Sequence, residues 1–229
     1  MTNNKYYCPI CGHSSNEFLD HNNDMVIKNT VCPSCKSYER HRLLWIFLNK
    51  EIDLSTKKLK ILYIAPENCL YNELNKIENI SIITANILGK NVDINFNLIN
   101  IPFNDNVFDL ILCNHVLEHV KNDRKAMSEL YRIMKPDGLA ILTIPYSTQE
   151  KTIEEPLDQE YTLEKRLKLF GKQDHVRTYS LLDFENRLTE VGFKVYPISY
   201  GKMLSKELVE KYNLYINHVI HCCSKNKEL

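Results

Sequence analysis

The sequence predicts an α/β protein in which helices cover both faces of a mostly parallel sheet. The first reason is the alternation that begins at Leu59, where short apolar runs are followed by segments with apolar residues on one helical face. The second reason lies in polar connections such as KPDG at 135–138, which end a helix and start a strand. Such alternation is typical of parallel strands joined by helices. Residues 1–37 lack this periodicity and carry paired cysteines, so we predict a small separate module there.

A first helix is predicted from about Ser37, where SYERHRLLWIFLNKEI places apolar residues on one face. The predicted strands cover residues 59–65, 80–85, 92–96, 107–113, 138–145, 193–200 and 214–223. The predicted helices cover residues 68–77, 119–134, 180–191 and 203–211. The polar segment from Tyr146 to Thr178 interrupts the alternation, which predicts an insertion beyond the carboxyl end of a strand. Open α/β sheets bind ligands at that end.

Composition narrows the class of protein. The chain has 229 residues, 44% of them apolar, which suffices for one α/β domain and a small appendage. A formal net charge of zero argues against a large nucleic-acid interface. No apolar run approaches the roughly 18 residues that span a bilayer, and the first residues, MTNNKYYCPI, lack the apolar core of a signal peptide. We therefore expect a cytoplasmic protein that does not enter a membrane.

Four cysteines form a metal-binding pattern. Cys8 and Cys11 make one C-x2-C pair, and Cys32 and Cys35 make a second pair after 20 intervening residues. Each pair aims two thiolates at one ion, and two pairs supply the closed sulfur set of a structural Zn²⁺ site. With all four positions filled by sulfur, we expect no catalytic role for this ion. The nearby His13 and His21 are expected at the surface.

Several further motifs carry a resemblance to a known family. IPFNDNVFDLILC, HVLEHV, AMSELYRIMKPDG and AILTIP resemble class I S-adenosylmethionine-dependent methyltransferases, over about residues 58–223. YIAPE, the two CPxC pairs, SYERHR and QDHVRTY make the chain similar to a bacterial subfamily of zinc-ribbon methyltransferases. The resemblance implies a Rossmann-like methyltransferase fold with a seven-stranded, mostly parallel sheet whose last strand is antiparallel. The implied domains are a zinc ribbon at 1–37, a connecting helix and linker at 38–57, and a methyltransferase domain at 58–229, with 146–178 inserted over the active site.

The resemblance also implies an S-adenosylmethionine site at the turn formed by Ala65, Pro66 and Glu67. Such turns normally carry glycines, but in this subfamily Ala-Pro-Glu replaces the glycine-rich sequence. Backbone groups there and the following helix N-terminus would meet the methionine carboxylate. Glu67 either serves the methionine ammonium or caps the helix that starts at Asn68.

Two positions depart from the usual methyltransferase pattern. Asn86 stands where an acidic residue usually holds the ribose hydroxyls, and Asn97 stands where an Asp often binds the adenine amine. An Asn oxygen accepts the same hydrogen bonds without charge assistance, so we expect weaker cofactor binding or a compensating partner such as Asp93. Asn114 and His115 are implied to lie against the methionine arm.

Three histidines and an arginine are the catalytic candidates. His115 and His119 are four residues apart, so they share a face if the segment is helical, and Glu118 then projects elsewhere. In GKQDHVRTYS, Asp174 orients His175 as a base and Arg177 binds an anionic acceptor, or else the three pin the insertion to the core. The alternative for each of His115 and His119 is a capping or packing role at the helix start. The sequence shows no third ligand that would make H-x3-H a metal site.

The SYERHR motif also has two interpretations. Arg40, His41 and Arg42 either reach the mouth of the active site or form a solvated helix face.

The function implied is methyl transfer to an oxygen of a small polar acceptor, anionic or sugar-linked, with S-adenosylmethionine as donor and Zn²⁺ as a structural ion. One alternative is an RNA methyltransferase that grips RNA through the zinc module. The other is a non-catalytic binding module that has lost cofactor affinity. The sequence specifies no oligomeric state.

Overall fold

The computed structural model describes residues 4–22 and 26–226. Residues 1–3 and 23–25 of the predicted zinc ribbon, and 227–229 of the predicted methyltransferase domain, lie outside the described residues. The first strands are β1 (Tyr6–Tyr7), β2 (Ser14–Ser15), β3 (Leu19–Asn22) and β4 (Val26–Val31). The following strands are β5 (Leu59–Ile64), β6 (Ile80–Asn86), β7 (Ile94–Asn95), β8 (Phe108–Asn114), β9 (Met134–Thr143), β10 (Tyr146–Ser147), β11 (Ile153–Glu154), β12 (Arg177–Ser180), β13 (Lys194–Ile198) and β14 (Ile220–Ser224).

The helices are α1 (Glu39–Glu51), α2 (Asn68–Leu74), α3 (Asp123–Ile133), α4 (Leu163–Phe170), α5 (Leu181–Glu190), α6 (Tyr200–Met203) and α7 (Lys206–Tyr212). A 3-10 turn covers Leu117–His119. The described chain divides into two compact units. The first contains the residues up to Lys58 with Pro66–Ser81 and Ile198–Ile220, and the second contains Leu59–Ala65, Ile82–Pro197 and the residues from His221.

The first unit contains two antiparallel strand pairs, β1 with β2 and β3 with β4. Its centre is the buried side chain of Arg42 on α1, which donates to the backbone carbonyls of Thr30 and Ser37. The same guanidinium donates to the carbonyls of Tyr212 and Asn213 at the end of α7. Helix-terminal carbonyls lack intrahelical partners and carry negative partial charge, so a cation is stabilised there. Arg42 thus ties the N-terminal strands to α7.

The second unit is built on a seven-stranded sheet in the order β13-β14-β9-β8-β5-β6-β7. Strand β8 pairs in parallel with β5 and β9, and β7 pairs in parallel with β6. The last strand, β14, is antiparallel to β9. The last four residues of β5, ILYI, are all buried and apolar, as expected for a strand whose two faces are both covered. The predicted Rossmann-like methyltransferase fold, including its antiparallel last strand, is confirmed.

The KPDG segment differs from its prediction. Helix α3 ends at Ile133 as expected, but β9 begins at once, at Met134, and its register with β8 shifts between Phe108–Met134 and Leu110–Leu139. The segment therefore forms a bulge inside the strand. A Cβ atom on Gly138 would lie 2.9 Å from Met134 Cγ and 3.0 Å from the Phe108 carbonyl oxygen. The final residue of the bulge must be glycine because backbone approaches it this closely.

The segment from Tyr146 to Thr178 contains regular structure that its polar sequence did not predict. Strands β10, β12 and β11 form a small sheet in that order, and α4 lies between β11 and β12. Thr162 caps the N-terminus of helix α4, and its hydroxyl accepts a hydrogen bond from the Lys165 amide. Gly171, in the left-handed conformation, caps the C-terminus. Other limits also moved: helix α3 starts at Asp123 rather than 119, and β14 starts at Ile220 rather than 214.

Candidate functional site

The four predicted metal ligands converge within the first unit. The sulfur atoms of Cys8, Cys11, Cys32 and Cys35 all lie within 4.8 Å of one another. Cys8 Sγ is 3.6 Å from Cys35 Sγ, and Cys11 Sγ is 3.7 Å from Cys32 Sγ. A tetrahedral Zn²⁺ with bonds of about 2.3 Å holds its sulfurs about 3.8 Å apart. The spacing therefore fits a closed tetrahedral ion of this size.

The two cysteine pairs lie on two separate turns of the same type. The Gly12 amide donates to the Cys8 carbonyl and the Lys36 amide donates to the Cys32 carbonyl, four residues back in each case. Gly12 and Lys36 both have positive φ, 73° and 59°. Only one of these equivalent positions is glycine, so the fold holds Lys36 in a conformation that L residues rarely adopt. The only tryptophan of the chain, Trp45, donates its indole N–H to the Pro9 carbonyl inside the first pair.

Glu67 occupies the N-cap position of α2, but its side chain makes no capping hydrogen bond. Its carboxylate Oε1 lies 3.6 Å from His41 Nε2. His41 Nδ1 accepts from the Tyr38 amide, so a neutral His41 ring carries its proton on Nε2, toward Glu67. Of the SYERHR residues, His41 thus approaches the predicted cofactor turn within this unit, while Arg42 is a buried brace rather than a solvated residue.

In the second unit, two neighbouring parallel strands end in left-handed residues. Ala65 follows β5 with φ of 48°, and its amide donates to the Ala85 carbonyl of β6. His115 follows β8 with φ of 52°, and its amide donates to the Thr143 carbonyl of β9. Strained backbone of this kind concentrates at functional sites. The carboxyl edge of the sheet, where α/β proteins bind ligands, carries both.

A recess at this edge brings Asn86 and Asn97 together. Apolar side chains make up the rest of its lining: Ile64, Ile87, Phe96, Leu98, Val116 and Val120. The Asn86 oxygen accepts from the Ile87 amide at 2.8 Å, and the Asn97 oxygen accepts from the Ile99 amide at 3.2 Å. Each oxygen keeps one lone pair, and each amide nitrogen keeps donors for a ligand. Apolar walls with a few placed polar groups are typical of small-molecule sites.

Two other predicted residues occupy different surroundings. The Asp93 carboxylate accepts from the amide and the hydroxyl of Thr84, at 2.8 Å and 2.7 Å, and these bonds lower the pKa of Asp93. Asp93 is not among the residues that line the recess. Asn114 is buried at the end of β8, and its oxygen accepts from the Thr143 hydroxyl.

The expected arrangement of the HVLEHV segment is wrong in one respect. His115 is left-handed and Leu117–His119 is a 3-10 turn, so the segment is not the α-helix on which the shared face depends. Contrary to the expectation, Glu118 does not project away from the histidines. Its Oε1 lies 3.6 Å from His115 Nδ1 and 4.0 Å from His119 Nε2, and its side chain is 1% exposed.

The end of the insertion brings His175 to the same cluster. The ring centroids of His119 and His175 are 4.7 Å apart, edge to face, and the Val176 amide donates to the Glu118 carbonyl. His119 Nδ1 lies 3.0 Å from the Asp174 carbonyl oxygen. Burial lowers the pKa of His175, which favours a neutral imidazole at neutral pH. The sequence prediction left Glu118 out, although its spacing of three residues from His115 is one at which side chains meet on a helix, and its carboxylate lies close to two of the histidines.

Arg177 lies in a buried ion-pair network. Its guanidinium is 1% exposed, pairs with Glu154 and Asp123, and donates to the carbonyls of Leu117, Val120 and Lys121. Asp123 also accepts from the Tyr179 hydroxyl and from Arg187 on α5. This arrangement favours the structural alternative for Arg177, in which it pins the insertion to the core. Asp123, Glu154 and Arg187 had no sequence signal that marked them as its partners.

Two further observations concern membrane-spanning helices and disulfide bonds. Within residues 4–22 and 26–226, every helix is too short or too polar to cross a membrane. Among the described residues, none of the eight cysteines forms a disulfide bond.

Comparison with known proteins places this geometry in a family. The chain is 34% identical over 89 residues to the uncharacterised protein MJ0638 of Methanocaldococcus jannaschii, which covers 39% of this chain and 36% of that protein. It is 25% identical over 119 residues to the uncharacterised methyltransferase YcgJ of Bacillus subtilis, covering 52% of this chain and 40% of YcgJ. The matches thus span well under half the length of both curated relatives.

Solved structures show the likeness of the fold. The crystal structure of YcgJ covers 82% of this chain and all of its own, with a TM-score of 0.55 and 18% identity. A SAM-dependent methyltransferase from Archaeoglobus fulgidus covers 80% of this chain and 93% of its own, with a TM-score of 0.53 and 17% identity. The model of the methyltransferase domain family matches residues 52–198, nearly two thirds of the sequence. The chain therefore belongs to the methyltransferase domain family.

Proposed function

We propose that this protein is an S-adenosylmethionine-dependent methyltransferase that methylates an oxygen atom of a small polar acceptor, anionic or sugar-linked, in the cytoplasm. The observation that carries the proposal is the recess that joins Asn86 and Asn97 to apolar walls at the carboxyl edge of the sheet. Its chemistry suits an adenosine, whose flat base needs apolar contact and whose ribose and ring nitrogens need a few hydrogen bonds. Membership of the methyltransferase domain family supports the class of reaction.

When bound, S-adenosylmethionine supplies a methyl group on a positively charged sulfonium that leaves as a neutral thioether. The apolar side chains, Phe96 and Val116 among them, would hold the base, and the amides of Asn86 and Asn97 would bind the ribose and adenine. Ala65, Pro66 and Glu67 are our candidates for the methionine carboxylate and ammonium. The chain then has to align donor and acceptor about 3–3.5 Å apart and exclude water.

The acceptor side is proposed to be the histidine cluster. Asn114 and His115 would lie against the methionine arm, and His115, His119 and His175 surround the buried Glu118. A hydroxyl acceptor loses a proton as it takes the methyl group, and an imidazole titrates in the range needed to accept it. Arg177 contributes by holding the insertion against the 3-10 turn rather than by touching the acceptor.

The N-terminal module is proposed to hold a structural Zn²⁺ on Cys8, Cys11, Cys32 and Cys35. The sulfur spacing and the paired turns support this assignment. Residues 1–37 would form the zinc ribbon, 38–57 the connecting helix and linker, and 58–229 the methyltransferase domain with 146–178 over its active site.

Calorimetry with S-adenosylmethionine and its demethylated product tests the cofactor site. Ile87 lines the recess and is 61% exposed, whereas the adjacent Leu88 is 81% exposed and is not among the lining residues. Ile87→Ala is expected to weaken binding about 3–10-fold because it removes apolar contact, while Leu88→Ala leaves affinity within twofold. A wild-type protein that binds neither compound would refute the enzyme assignment and leave the non-catalytic alternative.

The acceptor class is tested with methyl-labelled donor and a cell extract. Label is expected in the fraction of small polar molecules. Label in RNA, together with binding that weakens steeply with salt, would instead support the RNA methyltransferase.

A further inference from the structure

Glu118, His119 and His175 bring three metal-ligating groups together in the second unit. One carboxylate oxygen and one nitrogen from each ring lie within 4.8 Å of one another. Glu118 and His119 come from the 3-10 turn after β8, and His175 comes from the end of the insertion. The bond from the Val176 amide to the Glu118 carbonyl, 2.9 Å long, holds the two segments in this arrangement.

The hydrogen bonding of His119 determines which of its nitrogens faces the cluster as an acceptor. Nδ1 lies 3.0 Å from the Asp174 carbonyl oxygen, which accepts only, so the ring proton must be on Nδ1. A neutral His119 therefore presents the lone pair of Nε2, and Glu118 Oε1 lies 4.0 Å from it. A lone pair and a carboxylate repel each other, and a cation bound between them would relieve this repulsion. Metal-binding histidines commonly donate their other N–H to a backbone carbonyl in this way.

Glu118 also lacks a conventional partner. Its side chain is 1% exposed, and among the described residues its Oε2 is buried without a hydrogen-bond partner. Its ion-pair neighbours are the imidazoles of His115 and His119 at 3.6 Å and 4.0 Å. Arg177, two residues after His175, pairs instead with Glu154 and Asp123. A buried carboxylate needs a compensating charge, and a bound cation would supply it.

We propose that Glu118, His119 and His175 bind a divalent transition-metal ion of the Mn²⁺–Zn²⁺ series. Two imidazoles and one carboxylate match the preferences of these ions, whereas Mg²⁺ favours oxygen ligands alone. Three protein ligands leave coordination positions open, in contrast to the closed set of four cysteines. This step rests on the proposed function: the acceptor oxygen would occupy one of the open positions, because a bound metal makes a hydroxyl more acidic. His115 would then remain the imidazole that accepts the proton.

Titration of the protein with Co²⁺ and Mn²⁺ tests the site. The experiment uses protein without a histidine tag, in which the cysteine site has first been filled with Zn²⁺. Wild type is expected to bind one further equivalent of Co²⁺, with an absorption spectrum that lacks sulfur-to-cobalt charge transfer. Glu118→Gln and His175→Ala are expected to weaken this binding at least tenfold. His218→Gln removes a histidine paired with Glu39 in the other unit and is expected to bind as wild type does.

Two results would overturn the proposal: no further equivalent bound by wild type, or a Glu118→Gln variant whose affinity stays within twofold of wild type. Circular dichroism reports whether each variant folds. If neither variant folds, the titration of the wild-type protein alone decides, by binding or not binding the further equivalent. The cofactor titration is performed in parallel, with and without Mn²⁺. S-adenosylmethionine binding without metal binding refutes this inference only, and metal binding without S-adenosylmethionine binding refutes the proposed function.

Discussion

Ala65 and His115 end the neighbouring parallel strands β5 and β8, and both leave their strand through the left-handed backbone region, with φ of 48° and 52°. The turn after β5 is where related turns carry glycine. In this structure Ala65 adopts a backbone conformation that glycine reaches without strain. An alanine in this region costs roughly 1–2 kcal/mol of backbone strain. Rigid packing of the buried β5 run must hold it there.

Ala65→Gly is accordingly expected to leave the free energy of unfolding unchanged or to raise it by up to about 1 kcal/mol, since relief of strain offsets the extra entropy of the unfolded chain. The matched control is Ala140→Gly in the buried centre of β9. It is expected to lose about 1–2 kcal/mol from backbone entropy and a lost methyl group. Urea unfolding of both variants measures the difference. Equal losses in the two would show that Ala65 carries no strain.

Asn86→Asp is expected to tighten S-adenosylmethionine binding. Aspartate keeps an acceptor for the Ile87 amide and adds a charged acceptor for ribose hydroxyls, which strengthens the hydrogen bonds by about 1 kcal/mol, or roughly fivefold in Kd. Asn95→Asp is the control, because Asn95 pairs with Asn86 in register on β7 and is not among the residues that line the recess. Calorimetry compares them. If the two variants shift Kd equally, long-range charge rather than a ribose contact explains the effect.

Removal of the metal from the N-terminal module is expected to alter the fluorescence of Trp45. Its indole N–H bonds to the Pro9 carbonyl between Cys8 and Cys11, so loss of the cysteine cluster exposes the ring to water. A chelator, or Cys35→Ser, should shift the emission to longer wavelength and release one Zn²⁺ per chain. Binding of the ion supplies folding energy to a module with little apolar core.

Cys69→Ser is the control for this experiment. Cys69 is buried on α2 in the same unit, 3.5 Å from His41 Nδ1, and lies outside the cluster of four. It should retain the ion and the native emission. An unshifted spectrum in fully metal-free protein would show that the turns form without zinc.

The fold was predictable to the extent that burial imposes a local pattern. Central strands such as β5 and β8 are mostly apolar, so their order along the chain could be predicted. The strands of the insertion were not predicted, because each has only two to four residues, too few to show an alternating pattern. The bulge at KPDG was missed because its turn-like composition indicates a loop, while the close approach of Phe108 backbone keeps it in the strand.

The sequence identified many residues of the candidate site but not the side chains that these residues contact. Asn86, Asn97 and the three histidines were identified from the sequence, whereas Glu118 was left out of the group. Residues three apart are neighbours on an α-helix, so the spacing of His115 and Glu118 was a signal that the prediction overlooked. The actual backbone brings the two within 3.6 Å. From the sequence, Arg177 is a candidate ligand for an anionic acceptor, but in the structure it pairs with Glu154 and Asp123. Such long-range pairings leave no periodic signal.

The pH dependence of stability should report the pair of Glu129 and Arg132 on α3. Glu129 accepts two hydrogen bonds from Arg132 and one from the Ile101 amide, and these bonds lower the pKa of Glu129 to about 2, with the arginine as the main cause. Because the folded-state pKa lies below the ordinary value, the stabilisation is present above about pH 4.5. It is lost as the pH falls toward 2.

Glu129→Gln is therefore expected to cost about 1–3 kcal/mol of unfolding free energy at pH 7, and the deficit should shrink between about pH 4.5 and pH 2. Glu190→Gln is the control, because Glu190 is 57% exposed and pairs with Arg124 at the surface, where a salt bridge contributes under about 1 kcal/mol. Urea unfolding across this pH range provides the measurement. A deficit for Glu129→Gln that stays constant down to pH 2 would mean that the ionised carboxylate is not what stabilises this helix, and that the lost contact is one of shape alone.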